Sequence, residues 1–181
     1  GRVVCSRDGR KLFNPASIQK TLTAIVALDK LGADFRWKTS AFADGQIEPD
    51  GTLNGNLILY GQGAPDFDDA AMENLISQLQ TKGLKKVKGN VIGDESHFRG
   101  DTLGDGWTWN ELQWYYGAEA SALSFNDNQA FINVENGEAK TSTDYIQVRM
   151  GKPSESENAN TSAKVEASGI KRGLSNNEFY V

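Results

Sequence analysis

The chain has 181 residues, about one domain at the usual ~100–200 residues per domain, or parts of two. Apolar residues make up 38% and charged residues 24%, which permits a packed core and excludes wholesale disorder. A net charge of -5 argues against a nucleic-acid binder, and no apolar run approaches the ~20 residues of a membrane helix.

Val3–Phe13 reads as a hairpin, with Val3-Val4-Cys5 and Lys11-Leu12-Phe13 on either side of an Asp8-Gly9 turn. Asn14-Pro15 then stops the second strand. The next segment predicts a helix over about Ala16–Leu31. Ile18, Leu22, Ile25 and Val26 form one apolar stripe, Pro15 sits at its start and Gly32 caps its end. Phe35–Ala43 alternates as a half-buried strand does. Gly45, Pro49-Asp50-Gly51 and Asn54-Gly55 read as turn punctuation before a strand at Leu57–Tyr60.

Asp68 or Asp69 caps a second helix, whose stripe is Met72, Leu75, Ile76 and Leu79 and which ends before Gly83. Val87–Ile92 is a further strand. Phe98–Tyr116, rich in Gly and Trp, reads as a long loop, and Ala122–Val134 holds one or two strands around Asn126-Asp127-Asn128. Residues 151–163 carry almost nothing apolar and predict a loop, flanked by short strands at Tyr145–Met150 and Lys164–Ala167. The chain begins at Gly1 without a signal peptide or initiator Met, as a mature secreted protein or a trimmed chain would. It stops in the strand-like Glu178-Phe179-Tyr180-Val181, which reads as truncation.

The residues that carry chemistry are Ser17 and Lys20, in Ser17-Ile18-Gln19-Lys20. At the start of a helix this spacing puts both side chains on one face, a turn apart. A serine hydroxyl is a weak nucleophile at neutral pH, and a neighbouring lysine of lowered pKa can take its proton. The helix N-terminus adds free N–H groups and a positive dipole end. The bland alternative is an N-cap serine with a solvated lysine one turn on. On the order of one Ser-x-x-Lys is expected by chance in such a length. A second does occur at Ser168–Lys171, in a Gly-containing turn with no helix to fix it.

The surrounding run Asn14-Pro15-Ala16-Ser17-Ile18-Gln19-Lys20-Thr21-Leu22-Thr23-Ala24 resembles the active-site helix of the penicillin-recognising serine enzymes. The likeness extends through Leu31-Gly32-Ala33-Asp34-Phe35-Arg36-Trp37-Lys38-Thr39, Gly51–Leu57, Gly61-Gln62-Gly63-Ala64-Pro65-Asp66, Lys88–Asp94 and Gly106-Trp107-Thr108-Trp109-Asn110. Arg172–Glu178 matches more loosely. These segments are similar to the class C low-molecular-mass penicillin-binding proteins, the D-alanyl-D-alanine carboxypeptidases/endopeptidases of the penicillin-binding protein 4 type. The resemblance implies an α+β fold. Residues 1–38 would open a transpeptidase-like catalytic domain, 39–140 would be a β-rich accessory domain inserted in it, and 141–181 a truncated piece of a second one. It implies hydrolysis of the D-Ala-D-Ala bond of peptidoglycan stem peptides through an acyl-enzyme, outside the cytoplasmic membrane. Ser17 would be the nucleophile and Lys20 its base, β-lactams would be inhibitors, and no metal or organic cofactor would be used.

The family's Ser-x-Asn and Lys-Thr-Gly motifs have only imperfect echoes here. Ser124-Phe125-Asn126 falls in the stretch that resembles the accessory domain, and Lys140-Thr141-Ser142 lacks the glycine. The remainder of the catalytic domain is therefore expected to be missing from this chain, leaving the segment alone inactive and the apolar stripe of its first helix bare. Two other readings stay open. One is a non-catalytic module binding peptidoglycan or a protein. The other is a different Ser-x-x-Lys enzyme such as a β-lactamase, against which the strands from Phe35 to Val134 count.

Other candidates have plainer readings. Cys5, the lone cysteine, excludes a disulfide framework and reads as a small buried strand residue. His97, the lone histidine, reads as an exposed loop residue rather than an acid–base group. Asp66, Asp68 and Asp69 read as helix-capping residues rather than a cation site. Trp107, Trp109, Trp114, Tyr115 and Tyr116 either stack on a glycan strand or pack a long loop onto the sheet, and packing is the simpler expectation.

Overall fold

A computed structural model describes residues 1–150, 171–173 and 177–180, and the chain divides into two compact units, Gly1–Arg36 and Trp37–Val181. In the first unit a 3₁₀ turn, Ala16–Ile18, runs into helix α1, Gln19–Leu31. Gly32 ends α1 with φ 82°, and its N–H donates to the Leu28 carbonyl at 3.1 Å. Lys30 in the last turn complements the negative end of the helix dipole. The apolar stripe is largely exposed: Leu22, Ile25 and Val26 are 65%, 57% and 58% exposed.

The hairpin expected over Val3–Phe13 does not form. Its turn exists, with Asp8 at φ 54° and Lys11 paired to the Asp8 carboxylate at 3.1 Å, but no strand flanks it. Two strands alone are marginal in water, and Val4 and Leu12 have nothing to bury against. Cys5, expected to be buried in that hairpin, is consequently an exposed free thiol.

The second unit is organised around β2, Thr52–Gly61. It pairs antiparallel with β1, Thr39–Ile47, from Thr39 opposite Gly61 to Ile47 opposite Leu53. The observed β1 lies downstream of the expected Phe35–Ala43 strand because its ladder starts opposite the end of β2. Gly45 and Gly55, read above as turn residues, face each other inside the ladder. A Cβ on Gly55 would overlap the Asp44 carbonyl, so glycine here permits close backbone approach rather than a turn. The true turn is Glu48–Gly51. There Asp50 accepts from the Thr52 N–H at 2.9 Å and its hydroxyl at 3.1 Å.

From β2 the chain crosses over through α2, Asp69–Thr81, to two short strands, β3 at Lys86–Val87 and β4 at Val91–Asp94. Both pair parallel with β2 in one register. The sequence predicts a single strand at Val87–Ile92. It is interrupted where the Asn56 side-chain carbonyl accepts from the Asn90 N–H at 2.9 Å and Gly89 sits against the Gly55 carbonyl. Leu53, Leu57 and Leu84 form a buried cluster, with Ala41, Leu79 and Val87 packed against it. Asp68 is the N-cap of α2, accepting from the Ala71 N–H at 2.9 Å. Asp68→Ala should therefore lower stability by about 0.5–2 kcal/mol in urea unfolding, without altering the site described below.

Downstream, residues 98–114 form no strand, as expected of the long loop, and a 3₁₀ turn follows at Tyr115–Gly117. Of the one or two strands expected around Asn126-Asp127-Asn128, the one after it forms. Asn126, Asp127 and Asn128 make a 3₁₀ turn with all three φ angles positive. Strands β5, Ile132–Glu135, and β6, Glu138–Thr141, form a hairpin over Asn136-Gly137. Both turn residues have positive φ, 52° and 79°, as the favoured two-residue turn requires. A third sheet joins β7, Gln147–Arg149, β8, Lys171–Arg172, and β9, Glu178–Tyr180, in the order β7-β9-β8. The loop at 151–163 and the strand at Lys164–Ala167 fall outside the described residues. Among the described residues two α-helices stand beside three separate sheets, one antiparallel and two mixed, the α+β class that the sequence predicts.

Three carboxylates in this unit are held below the ordinary range by short-range donors. They are Asp50 through the Thr52 N–H and hydroxyl, Glu111 through the Thr108 N–H and hydroxyl, and Asp94 through the Ser96 hydroxyl and N–H. A folded-state value below the unfolded one adds stability that is fully present above pH ~4 and lost as pH falls through the lower, folded value. Urea midpoints should accordingly fall as the pH drops below about 4, and the fall should flatten in the Asp50→Asn, Asp94→Asn, Glu111→Gln triple variant.

Candidate active site

The site is built on the start of α1. Ala16 has φ 43°, a left-handed conformation that costs a non-glycine residue energy and is found where local structure over-determines it. Here the Asn14 side chain accepts from the Ala16 N–H at 3.0 Å, and the Pro15 carbonyl accepts from the Ile18 N–H at 3.0 Å. Between them the Ser17 N–H has no acceptor among the described residues. Ser17 thus stands at the positive end of α1 with a free donor on its own backbone.

One turn on, Lys20 Nζ donates to Ser17 Oγ at 3.3 Å. The structure therefore brings the two sequence-predicted residues together, and both are exposed. A hydroxyl, an amine in hydrogen-bond reach and a free N–H beside the hydroxyl are three of the parts that acyl transfer by a serine uses. The spacing made the Ser17–Lys20 pair readable. The side-chain cap from Asn14 and the left-handed Ala16 were not foreseen. Asn-Pro immediately before the helix was their only signal.

The remaining candidates serve structure. Ser124 donates to the Ser121 carbonyl at 3.1 Å, and the Asn126 side chain donates to Asp69 at 3.4 Å, tying that turn to the start of α2. Lys140 and Thr141 lie in β6, and Ser142 exchanges hydrogen bonds with the Phe131 backbone. Of the second Ser-x-x-Lys, Ser168 lies outside the described residues. His97 Nδ1 shares a 3.0 Å hydrogen bond with the Tyr60 hydroxyl on an exposed loop. Asp68 caps α2, and Asp66 contributes its carbonyl to the same turn. Among the described residues no group of three or more His, Cys, Asp or Glu side chains could hold a metal ion, and no helix is long and apolar enough to cross a membrane. The packing expected of the aromatic segment is not seen: Trp109, Tyr115 and Tyr116 are 69%, 71% and 57% exposed.

Comparison with known proteins follows the same line. The D-Ala-D-Ala carboxypeptidase 3 (S13) family matches the chain over residues 1–181. A D-alanyl-D-alanine carboxypeptidase of Haemophilus influenzae is 31% identical over 134 residues, 74% of this chain and 28% of that protein. One from Actinomadura sp. strain R39 is 30% identical over 131 residues, 72% of this chain and 24% of that protein. The chain thus spans about a quarter of the length of these relatives. The crystal structure of penicillin-binding protein 4 from H. influenzae superimposes with a TM-score of 0.72 at 25% identity, over 98% of this chain and 40% of that one. A second structure of that protein, in complex with a β-lactam, shares the fold at a TM-score of 0.55 and 24% identity.

Proposed function

The chain belongs to the D-Ala-D-Ala carboxypeptidase 3 (S13) family, and from that premise we propose that it carries the nucleophile of a serine-type D-Ala-D-Ala carboxypeptidase/endopeptidase acting on peptidoglycan stem peptides outside the cytoplasmic membrane. The observation that carries the reading is the 3.3 Å contact between Lys20 Nζ and Ser17 Oγ beside the free Ser17 N–H. Ser17 Oγ attacks the carbonyl carbon of the D-Ala-D-Ala bond while neutral Lys20 takes the hydroxyl proton. Loss of charge from a lysine near neutral pH requires desolvation or a neighbouring cation. The Ser17 N–H donates to the oxyanion of the tetrahedral intermediate. The intermediate collapses, the terminal D-Ala leaves with the proton from Lys20, and an ester to Ser17 remains. Water, giving its proton to Lys20, then attacks the ester, and Lys20 returns that proton to Ser17 Oγ as the acyl group leaves. Every step uses groups of the polypeptide and no metal or organic cofactor.

In this reading residues 1–38 open the catalytic domain, 39–140 form an inserted accessory domain, and 141–181 belong to a second one. The bare stripe of α1 is the face on which the rest of the catalytic domain packs. The 181-residue chain alone is inactive, because the donors opposite Ser17 belong to that remainder. A β-lactam acylates Ser17 by the same attack, and its opened ring stays attached.

The test is intact-mass spectrometry after incubation with benzylpenicillin. A longer protein of the relatives' length that carries these residues should gain one whole inhibitor mass, mapping to Ser17. The 181-residue chain should gain none. A longer protein that stays unmodified overturns the proposal.

A further inference from the structure

We propose that the second unit holds a separate carbohydrate-binding cleft that takes the N-acetylated amino-sugar backbone of peptidoglycan. The identity of the sugar rests on the substrate proposed above, whereas the cleft rests on its own geometry. Within this unit a cavity of about 820 Å³ is lined by Trp114, Tyr115, Phe131, Tyr145, Glu119 and Gln129 among others. That volume lies inside the ~300–1,000 Å³ range of small-ligand sites and suits a short oligosaccharide.

The lining departs from what an unoccupied surface normally carries. Tyr115, Phe131 and Tyr145 are each more than 70% exposed, and Trp114 is 44% exposed. Four aromatic side chains left in water around one concavity mark an interaction site. The polar groups narrow the class. The Glu119 carboxylate and the Gln129 amide have no hydrogen-bond partner among the described residues. Glu95 also lines the cavity, where it accepts from the Ser121 hydroxyl.

A sugar ring presents an apolar C–H face and a rim of hydroxyl donors, with an acetamide where the sugar is an N-acetylated amine. The aromatic ring face is its electrostatic complement, carboxylates accept from its hydroxyls, and a side-chain amide both donates to and accepts from the acetamide. The lining holds two carboxylates, Glu95 and Glu119, against one guanidinium, Arg172, which already donates to the Leu112 carbonyl and the Asn177 side chain, so its balance disfavours phosphate or an acidic peptide. Such a cleft keeps an enzyme on a polymeric substrate while successive stem peptides are processed.

The experiment titrates the tetramer of N-acetylglucosamine, and then peptide-free glycan strands, into the 181-residue chain by calorimetry. Saturable binding is expected. Trp114→Ala and Tyr115→Ala should each weaken it about tenfold. Trp109→Ala, an exposed aromatic outside the cavity lining, should leave it unchanged. Circular dichroism checks the fold, and Glu119→Ala provides a second probe of the cleft should Trp114→Ala unfold. Absence of saturable binding overturns the proposal, as does binding that none of the three cleft substitutions weakens. Binding of a sugar-free stem peptide in place of the glycan also overturns it. Penicillin acylation of Ser17 in the longer protein is scored independently. Glycan binding without an adduct overturns the acyl-enzyme reading alone, and an adduct without glycan binding overturns this cleft alone.

Discussion

Ser17→Ala will abolish β-lactam acylation, a loss of order 10⁶-fold as for other serine nucleophiles, and Lys20→Ala will slow it by about 10²–10⁴-fold. Neither substitution should cost more than about 0.5 kcal/mol of stability, because both side chains are exposed and neither joins a core. The discriminating variant is Lys20→Arg. Arginine keeps the positive charge and can still donate to Ser17 Oγ, but it does not give up its proton in a protein. If Lys20 only orients the hydroxyl, Lys20→Arg retains acylation. If it takes the proton, Lys20→Arg fails as Lys20→Ala does, and that failure is the expected result. The time course of the penicillin adduct by intact mass, in the longer protein, separates the two.

The largest stability effect should come from Leu53→Ala. Leu53 is 0% exposed on β2 and packs with Leu57 and Leu84. Truncating such a side chain leaves a cavity and costs about 2.7–5 kcal/mol. A domain's whole stability is about 5–15 kcal/mol, so a core this small has little to spare. Urea unfolding of the second unit should show the midpoint shifted down by that free energy divided by the slope, with the slope itself unchanged. Ile76→Ala on α2, whose side chain is 45% exposed, should cost far less. Equal losses would mean that the core is not centred where the buried leucines place it.

What could be read from the sequence follows the range of the interactions involved. Helix α1 was legible because its stripe, Pro15 and Gly32 all act within a few residues, and the Ser17–Lys20 geometry follows from the same local spacing. The hairpin at Val3–Phe13 was misread because Asp8-Gly9 specifies a turn, whereas strands also need a surface to pack on. Gly45, Gly55 and Gly89 were misread as punctuation or passed over. Their role is to let β2 and its neighbours approach closely, and which strands are neighbours is a long-range fact. Strand β6 went unrecognised although Asn136-Gly137 is a strong hairpin signal, because β6 carries too few apolar residues to show alternation. The aromatic loop was read as packed, since large rings usually bury much of their area. No local rule reveals the cavity that two of them, Trp114 and Tyr115, line.

The one-register parallel pairing of β3 and β4 with β2 has a consequence during synthesis. Hairpin β1–β2 closes through a short turn, on a timescale of about microseconds. The parallel partner of Leu57 is Val91, roughly 34 residues later in the chain. At ~5–20 residues per second, β4 leaves the ribosome about 2–7 s after β2. Through that interval Leu53 and Leu57 stand on a finished hairpin without Leu84 or Val87 above them. The second unit is therefore most exposed to chaperone capture and misassociation between completion of β2 and arrival of β4, and α2, emerging between them, is the first element able to shorten that window.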